Sequence, residues 1–159
     1  TQNSPQCDIL VLSSNTQNFS IGGQTFLHVN DCLIHIEVKS NVTNKDIKET
    51  NNKAMLIKQL SSSNIPLCGL FCYKSKINKN TILKKFGYSY DTALKSCVID
   101  ETVTIQYPYI DFFISINNDC DSDQQFFLIK DINENSFQIS NTQPVIRDLF
   151  SLLKSITPN

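Results

Sequence analysis

The chain has 159 residues, 40% of them hydrophobic, which is enough for one folded domain and excludes a disordered segment. No apolar run approaches the roughly 18 residues of a membrane-spanning helix, so we expect no membrane span. The formal net charge of −1 hides an uneven distribution. Residues 39–95 carry 11 lysines against three carboxylates, whereas residues 96–159 carry nine carboxylates against three basic side chains. Such blocks predict surfaces of opposite sign that steer charged partners.

Most of the chain predicts short strands separated by polar turns. The first third contains a largely apolar run at residues 7–14, a turn at Gly22-Gly23, and an alternating run at residues 32–39. In the alternating run one set of side chains predicts a buried face and the other a solvent face. The inward set is Cys32, Ile34, Ile36 and Val38, and the outward set is Leu33, His35, Glu37 and Lys39.

Further strands are predicted in the second half of the chain, at residues 101–107, 109–116, 125–130 and 136–140. Strands at such short intervals are typical of an antiparallel sandwich or barrel. The Lys-rich segment at residues 73–96 predicts no long regular element. No internal repeat or linker divides the chain, so we expect residues 1–159 to form a single domain.

Two segments have helical patterns. Residues 43–60 begin with the capping residue Thr43 but are polar until Ala54, so only their second half is predicted as helix. Residues 143–156 form a stronger amphipathic helix that we expect to pack on a sheet face. Its apolar stripe consists of Val145, Leu149, Leu152 and Ile156, widened by Ile146 and Leu153. The fold class predicted is therefore an all-β antiparallel sandwich with a C-terminal helix and one short helix.

The cysteines favour a secreted, disulfide-stabilised protein. Six cysteines lie at wide spacings, and the closest pair, Cys68-Gly-Leu-Phe-Cys72, lacks the C-x-x-C spacing of zinc and redox sites. Up to three disulfides are expected among Cys7, Cys32, Cys68, Cys72, Cys97 and Cys120, and 15 connectivities remain open. Sequons at Asn18 and Asn41 fit glycosylation in an extracellular compartment.

Catalytic chemistry has little support in the sequence. The two histidines, His28 and His35, have no nucleophile placed beside them by local spacing, so they are interpreted as structural or solvated. The acidic run at residues 119–123 lacks the Gly and Glu of a calcium loop. Lysines around Lys84-Lys85 suggest a solvated basic edge that contacts glycosaminoglycan, whereas a single arginine argues against nucleic acid. We expect no enzyme activity, no metal and no cofactor.

One strand face raises a question about function. Residues 110, 112, 114 and 116 alternate as a buried face, which leaves Tyr109, Asp111 and Phe113 on the other side. Aromatic anchors beside a carboxylate suit an exposed face that binds a basic protein. Glu37 and His35 would join this face if the two strands are neighbours. The alternative is that Tyr109 and Phe113 lie under the C-terminal helix as ordinary core.

Two stretches, residues 29–43 (VNDCLIHIEVKSNVT) and 145–159 (VIRDLFSLLKSITPN), resemble the SECRET domain. That domain is the C-terminal chemokine-binding module of secreted poxvirus tumour-necrosis-factor-receptor homologues of the cytokine response modifier type. The resemblance implies a β-sandwich similar to the poxvirus chemokine inhibitors, and no catalysis. It implies a secreted decoy that sequesters host chemokines, while a preceding domain absent here binds tumour necrosis factor.

Two other classes stay open. Asn and Lys richness with six cysteines is similar to the six-cysteine surface adhesion domains of malaria parasites. That family pairs its first cysteine with its second, third with sixth and fourth with fifth, but its late C-x-C pair is missing around Cys120. A small secreted hydrolase is the third class, although no pattern in the sequence selects a pair of carboxylates.

Overall fold

The structure is a computed structural model that describes residues 8–94, 96–118, 125–131, 136–140 and 145–156. Its ten strands are β1 (Ile9–Leu12), β2 (Asn18–Ile21), β3 (Gln24–Leu27), β4 (Cys32–Val42), β5 (Leu67–Ser75), β6 (Tyr88–Asp91), β7 (Ser96–Ile99), β8 (Phe112–Asn118), β9 (Phe126–Asp131) and β10 (Ser136–Ser140). Its three α-helices are α1 (Asn44–Leu60), α2 (Lys79–Lys85) and α3 (Val145–Ile156), and a short 3-10 helix spans Val29–Asp31. No helix in this described part is long and apolar enough to cross a bilayer.

Eight of these strands form one mixed sheet in the order β1-β4-β5-β8-β9-β10-β7-β6, and β2 and β3 form a separate hairpin. The pairs β4–β5 and β5–β8 are parallel, and the other pairs are antiparallel. The predicted all-β antiparallel sandwich is therefore wrong, and the fold is mixed α/β. Parallel neighbours need a long crossover, and α1 is the crossover from β4 to β5. The single-domain assignment to residues 1–159 stays a prediction.

Helix α1 is longer than the sequence pattern indicated. It begins at the predicted cap, where Thr43 accepts from the Asp46 N–H and Asp46 accepts from the Thr43 N–H. It then continues through the polar first half that was predicted as non-helical. Its buried stripe includes Ile47, Thr50, Asn51, Ala54 and Ile57. Because Thr50 and Asn51 in the middle of that stripe are polar, the spacing of hydrophobic residues alone does not show the helical period.

The sheet is covered on both faces. On one side α1 and α2 contribute Ile47, Ile82 and Leu83 to a core with Leu70 and Phe113. On the other side α3 packs its stripe against a core that includes Ile34, Ile36, Phe112 and Ile114. The expectation that the C-terminal helix packs on a sheet face is confirmed. Its Ile146, however, is 38% exposed and lies outside the contact stripe.

One local prediction in the middle of the chain is wrong: residues 101–107 form turns and irregular backbone rather than a strand. The Lys-rich segment at 73–96 has no long regular element in its described part, as predicted, and contains the end of β5 and the short elements α2 and β6. Helix α2 is short, and an Asn78 side chain caps it by accepting from the Asn80 N–H.

The described cysteines form no disulfides. Cys32, Cys68, Cys72 and Cys97 are buried, reduced thiols, while Cys7 and Cys120 lie outside the described residues. Cys68 and Cys72 lie four residues apart on β5, so their Cα atoms are about 13 Å apart and cannot be bridged. Burial raises the pKa of the Cys72 thiol to about 12, which keeps it protonated. The disulfide framework is thus corrected for these four residues, and their packing role is that of small apolar side chains.

Gly69 provides a test of how closely β5 and β8 pack. It pairs with Phe112 across the two strands, and a Cβ at position 69 would overlap the Phe112 ring. We expect Gly69→Ala to lower the free energy of unfolding, measured by urea denaturation, by about 1–3 kcal/mol. Adding Phe112→Leu makes room for the methyl group, so the double variant loses less than the sum of the two single losses. Strictly additive losses would contradict this packing.

Candidate active site

The predicted binding face at Tyr109, Asp111 and Phe113 is not exposed. Phe113 is 0% exposed and stacks on Phe126 with ring centroids 5.8 Å apart, and Asp111 is 6% exposed. Tyr109 is half-buried and packs beside Ala54 and Ile57 of α1. The three residues are covered because β8 and the segment just before it lie inside the sheet, with helices on both sides. The alternative expectation, that Tyr109 and Phe113 are ordinary core residues, agrees better with the structure. The helix that covers this side is α1, however, and not the C-terminal helix α3.

Asp111 is the centre of an internal ion pair. Both of its carboxylate oxygens accept from Lys58 Nζ, at 2.7 and 2.6 Å, and Oδ2 also accepts from the Cys68 N–H at 2.8 Å. Lys58 belongs to α1 and Cys68 to β5. Asp111 therefore fastens α1 to the centre of the sheet and is not available to a basic partner.

Glu37 forms a second buried ion pair under the same helix. It is 4% exposed, and its carboxylate accepts from Lys39 Nζ at 2.8 Å and from Lys53 Nζ at 2.8 and 2.9 Å. Lys39 lies two residues further on the same face of β4, and Lys53 lies on α1. Burial pushes the pKa of Glu37 upward, but the hydrogen bonds and positive charges of Lys39 and Lys53 together hold the pKa below its ordinary value. Glu37 is therefore ionised at neutral pH.

Asp8 brings a further carboxylate to this position. It is exposed and directly precedes β1, which pairs antiparallel with β4 so that Ile9 is opposite Ile36. Its Oδ2 accepts from the Val38 N–H at 2.8 Å. The pKa of Lys39 is raised mainly by its hydrogen bond to Glu37, while burial lowers it. The negative charge of Asp8 is one of the smaller contributions that also raise this pKa. Asp8, His35, Glu37, Lys39 and Lys53 are called the Glu37 cluster below.

His35 is the most buried member of the Glu37 cluster. It is 0% exposed, and its Nε2 lies 3.9 Å from Glu37 Oε2. Neither ring nitrogen has a hydrogen-bond partner. Burial lowers the pKa of His35 despite the opposing charge of Glu37, so the imidazole is neutral at neutral pH. The expectation that His35 and Glu37 face solvent is wrong, because α1 covers this face of β4.

The donor atoms of the Glu37 cluster fit a divalent cation. Asp8 and Glu37 supply carboxylate oxygens, which Mg²⁺ prefers, and Mg²⁺ in phosphate-processing sites is held by one or two carboxylates plus substrate phosphates. Within the described ranges no group of three or more His, Cys, Asp or Glu side chains could hold a metal ion. A two-carboxylate site is consistent with that finding, because phosphate and water oxygens supply the remaining ligands.

Solved structures identify the fold. The NucC protein of P. aeruginosa in its cAAA-bound form matches 96% of this chain with a TM-score of 0.68 at 13% sequence identity. NucC of E. coli matches the same share of this chain in its apo form (TM-score 0.62, 16% identity) and in its cAAA-bound form (TM-score 0.63, 14% identity). The chain has the NucC fold. It spans 64% of the P. aeruginosa protein and 68% and 63% of the two E. coli chains.

Comparisons of the sequence itself find no matching family model and no matching curated protein. The identities to NucC are low, so these neighbours establish architecture and leave activity to be argued from the Glu37 cluster.

These findings correct the resemblance drawn from the sequence. The SECRET-domain assignment is wrong, because the structural neighbours are NucC proteins and the sheet is mixed. Chemokine sequestration and the parasite adhesion alternative have no support, and the NucC neighbours also contradict the expectation of a non-enzyme. The exclusion of nucleic acid is wrong on the same ground, since the neighbours bind the cyclic oligonucleotide cAAA. Secretion and glycosylation at Asn18 and Asn41 stay predictions, as does contact with glycosaminoglycan.

Sequence reasoning missed Asp8, Lys39 and Lys53 as functional candidates. The signal available was Glu37-Val38-Lys39 on an apolar strand, preceded by an acidic residue at the start of another strand. Carboxylate and ammonium two residues apart on one strand face are a suitable pair for phosphate chemistry. That pattern is short and common, so it has meaning only once α1 and β1 are placed around it.

The ion pairs of Glu37 predict a pH-dependent stability. Because the pKa of Glu37 in the folded state is below its ordinary value of 4.5, the stabilisation is complete above pH about 4.5 and is lost as the pH falls through the folded-state pKa. We expect Glu37→Gln to lower the free energy of unfolding at pH 7 by about 1.5–3 kcal/mol. The difference from the parent protein then shrinks at lower pH, as followed by urea denaturation from pH 7 to pH 3.

The matched control is Glu49→Gln. Glu49 forms an exposed pair with Lys45 on α1 at 3.7 Å, so its replacement changes stability by less than about 1 kcal/mol. Parallel pH profiles for the parent protein and Glu37→Gln would disprove the assignment.

Proposed function

We propose that this chain is a divalent-cation-dependent nuclease that hydrolyses DNA phosphodiester bonds at the Glu37 cluster. The observation that carries the proposal is the convergence of Asp8, Glu37, Lys39 and Lys53 on one face of β4. The NucC fold supports it, because this arrangement of cation-binding oxygens and ammonium groups lies in the architecture of a nuclease.

Two carboxylates would hold the cation. Glu37 is ionised and its carboxylate is fixed by β4, and Asp8 is fixed at the start of β1 by its bond to Val38 N–H. A cation bound by these oxygens supplies Lewis-acid polarisation of the phosphate and lowers the pKa of a bound water. The protein would contribute by holding both carboxylates in place in advance, so that binding a cation would require little reorganisation of the site.

The two lysines would act on the phosphate. Their side chains are 28% and 31% exposed, for Lys39 and Lys53 respectively, so both can move from Glu37 toward a phosphate in solvent. With a cation held by Glu37, the ammonium groups of Lys39 and Lys53 would no longer be needed to neutralise that carboxylate. They would then be positioned to stabilise the negative charge that develops on the non-bridging oxygens. Lys39 is the nearer candidate because it shares a strand face with Glu37.

The surface beyond Lys39 has the groups that bind a nucleic-acid backbone. The carboxyl ends of parallel β4, β5 and β8 place Asn41, Lys74 and Asn117 side by side in the sheet register. All three are exposed. Lysine and asparagine side chains are common donors to phosphate oxygens. A row of this kind two residues from Lys39 supports a nucleic-acid substrate that lies across the end of the sheet.

A plasmid-cleavage assay tests the proposal. We expect purified protein to nick or linearise DNA with Mg²⁺ or Mn²⁺ and to lose all activity in EDTA. Glu37→Gln and Lys39→Met each reduce the initial rate by at least about 100-fold, because each removes a group that acts on the transition state. A parallel arm contains cAAA, the ligand of the neighbours. Activity in either arm supports the nuclease assignment.

Matched variants on α1 separate site effects from charge effects. Lys48→Met and Glu49→Gln change the same charges on exposed positions of the helix that carries Lys53. Both are expected to retain activity within about twofold, because solvent screens exposed charges. The proposal fails if the folded parent protein cleaves neither double-stranded nor single-stranded DNA in both arms. It also fails if Glu37→Gln cleaves as fast as Glu49→Gln.

A further inference from the structure

Tyr73 places an aromatic ring in solvent near the end of β5. It is 56% exposed, and the half-buried Phe71 ring contacts it perpendicularly, with ring centroids 5.4 Å apart. Phe71 itself packs in the core beneath α3, so the Tyr73 ring has a fixed neighbour on one side. A perpendicular contact covers at most one face of a ring. Tyr73 therefore offers a flat apolar surface to a partner from solution.

Tyr73 lies beside the proposed phosphate-binding row and close to the Glu37 cluster. Lys39 pairs with the residue before Tyr73, so Tyr73 is only about 3.3 Å further along the strand direction. The next residue, Lys74, belongs to the exposed row with Asn41 and Asn117. Because successive side chains on a strand point to opposite faces, Tyr73 and Lys74 flank the end of β5 from its two sides. A base and a phosphate of one DNA strand can thus contact them together.

An aromatic ring beside ammonium groups suits DNA whose bases are unpaired. Proteins that bind single strands combine positive charge for the backbone with aromatic side chains on which bases stack. Phosphates are accessible in a duplex and in a single strand, so Lys74 does not distinguish the two. In a duplex both faces of a base are covered by its neighbours, and the base reaches a protein side chain only after it leaves the helix. The Tyr73 ring is thus the group that can distinguish them.

We propose that Tyr73 stacks on an unpaired base while Lys74 holds the adjoining phosphates, which makes DNA with a single-stranded segment next to the cleaved bond the preferred substrate. The inference rests on the proposed function and deepens it by naming the class of DNA. Isolated exposed aromatics are ordinary on protein surfaces. Tyr73 differs from them because the proposed phosphate-binding groups lie next to it.

Binding of single strands with and without bases tests the stacking. Fluorescence anisotropy at low salt, in EDTA so that no cleavage occurs, compares a labelled oligodeoxyadenylate with a strand of equal length built from abasic nucleotides. Both strands carry the same phosphates, so the ratio of their affinities reports on the bases. We expect the parent protein to bind the strand with bases at least about fivefold more tightly. Tyr73→Leu reduces that ratio to within about twofold, because leucine has no aromatic face on which a base stacks.

Three further variants separate the ring from other effects. Tyr73→Phe retains the ring and is expected to keep the parent ratio. Lys74→Met weakens the binding of both strands by a similar factor, because phosphate contacts do not depend on the bases. The matched control is Tyr90→Leu, which changes a tyrosine that is 46% exposed on β6 at the far edge of the sheet and leaves the ratio unchanged. Circular dichroism checks that each variant is folded.

The inference is overturned if Tyr73→Leu keeps the parent ratio, if Tyr73→Phe loses it, or if the parent protein binds neither strand. A loss of affinity in Tyr73→Leu that is equal for the two strands also contradicts it, because a general disturbance of the surface acts on both. The proposed function is judged separately by cleavage. Base-dependent binding without cleavage of any DNA removes only the nuclease, and cleavage without base-dependent binding removes only the stacking role of Tyr73.

Discussion

Helix α1 depends on two carboxylates of the sheet that its lysines neutralise. Lys53 binds Glu37 and Lys58 binds Asp111. The lysines are five residues apart, about 7.5 Å along the helix. The carboxylates lie on β4 and just before β8, separated by β5 and hence by about 10 Å. A helix that crosses the strands obliquely can satisfy both, so the two pairs fix where α1 lies on the sheet. Removing one partner of such a buried pair leaves a charge without compensation, which is far costlier than losing a surface pair.

The two ion pairs differ in what they leave accessible. Asp111 is fully committed to structure, since it also accepts from the Cys68 N–H, and its Lys58 partner is 18% exposed. Glu37 has no backbone donor among its hydrogen bonds and is held by two lysines with more exposed side chains. Side chains can exchange partners far more easily than a strand can. Glu37 is therefore a fixed carboxylate with replaceable counter-ions, and such a group can serve both α1 and a bound cation.

Sequence patterns correctly predicted the parts of the fold that depend on residues close in sequence, or on one face of a helix or strand being buried. The apolar stripe of α3 and the cap at Thr43 follow directly from helical spacing and from the orphan donors of a first turn. The alternation in β4 was also real, since Ile34 and Ile36 face the α3 core. The error was to place the other set in solvent. His35 and Glu37 are polar, but α1 covers them, and an alternating pattern cannot tell a solvent face from a face covered by a helix whose ion pairs lie far apart in sequence.

The same limit explains the charge argument. The sequence suggested an acidic surface for a basic partner, with Asp111 and Glu37 at its centre. Both carboxylates are buried and paired, and thus contribute little to the external field. Lysines such as Lys74 and Lys84 are exposed, and a nucleic-acid backbone responds to exposed charge. Burial of these carboxylates therefore changes the expected charge of the partner from positive to negative. Within the described residues, the groups around Glu37 favour a polyanion beside the proposed cation site. A sum of charges along the chain could not show this, because it does not distinguish a carboxylate that faces solvent from one that holds a helix in place.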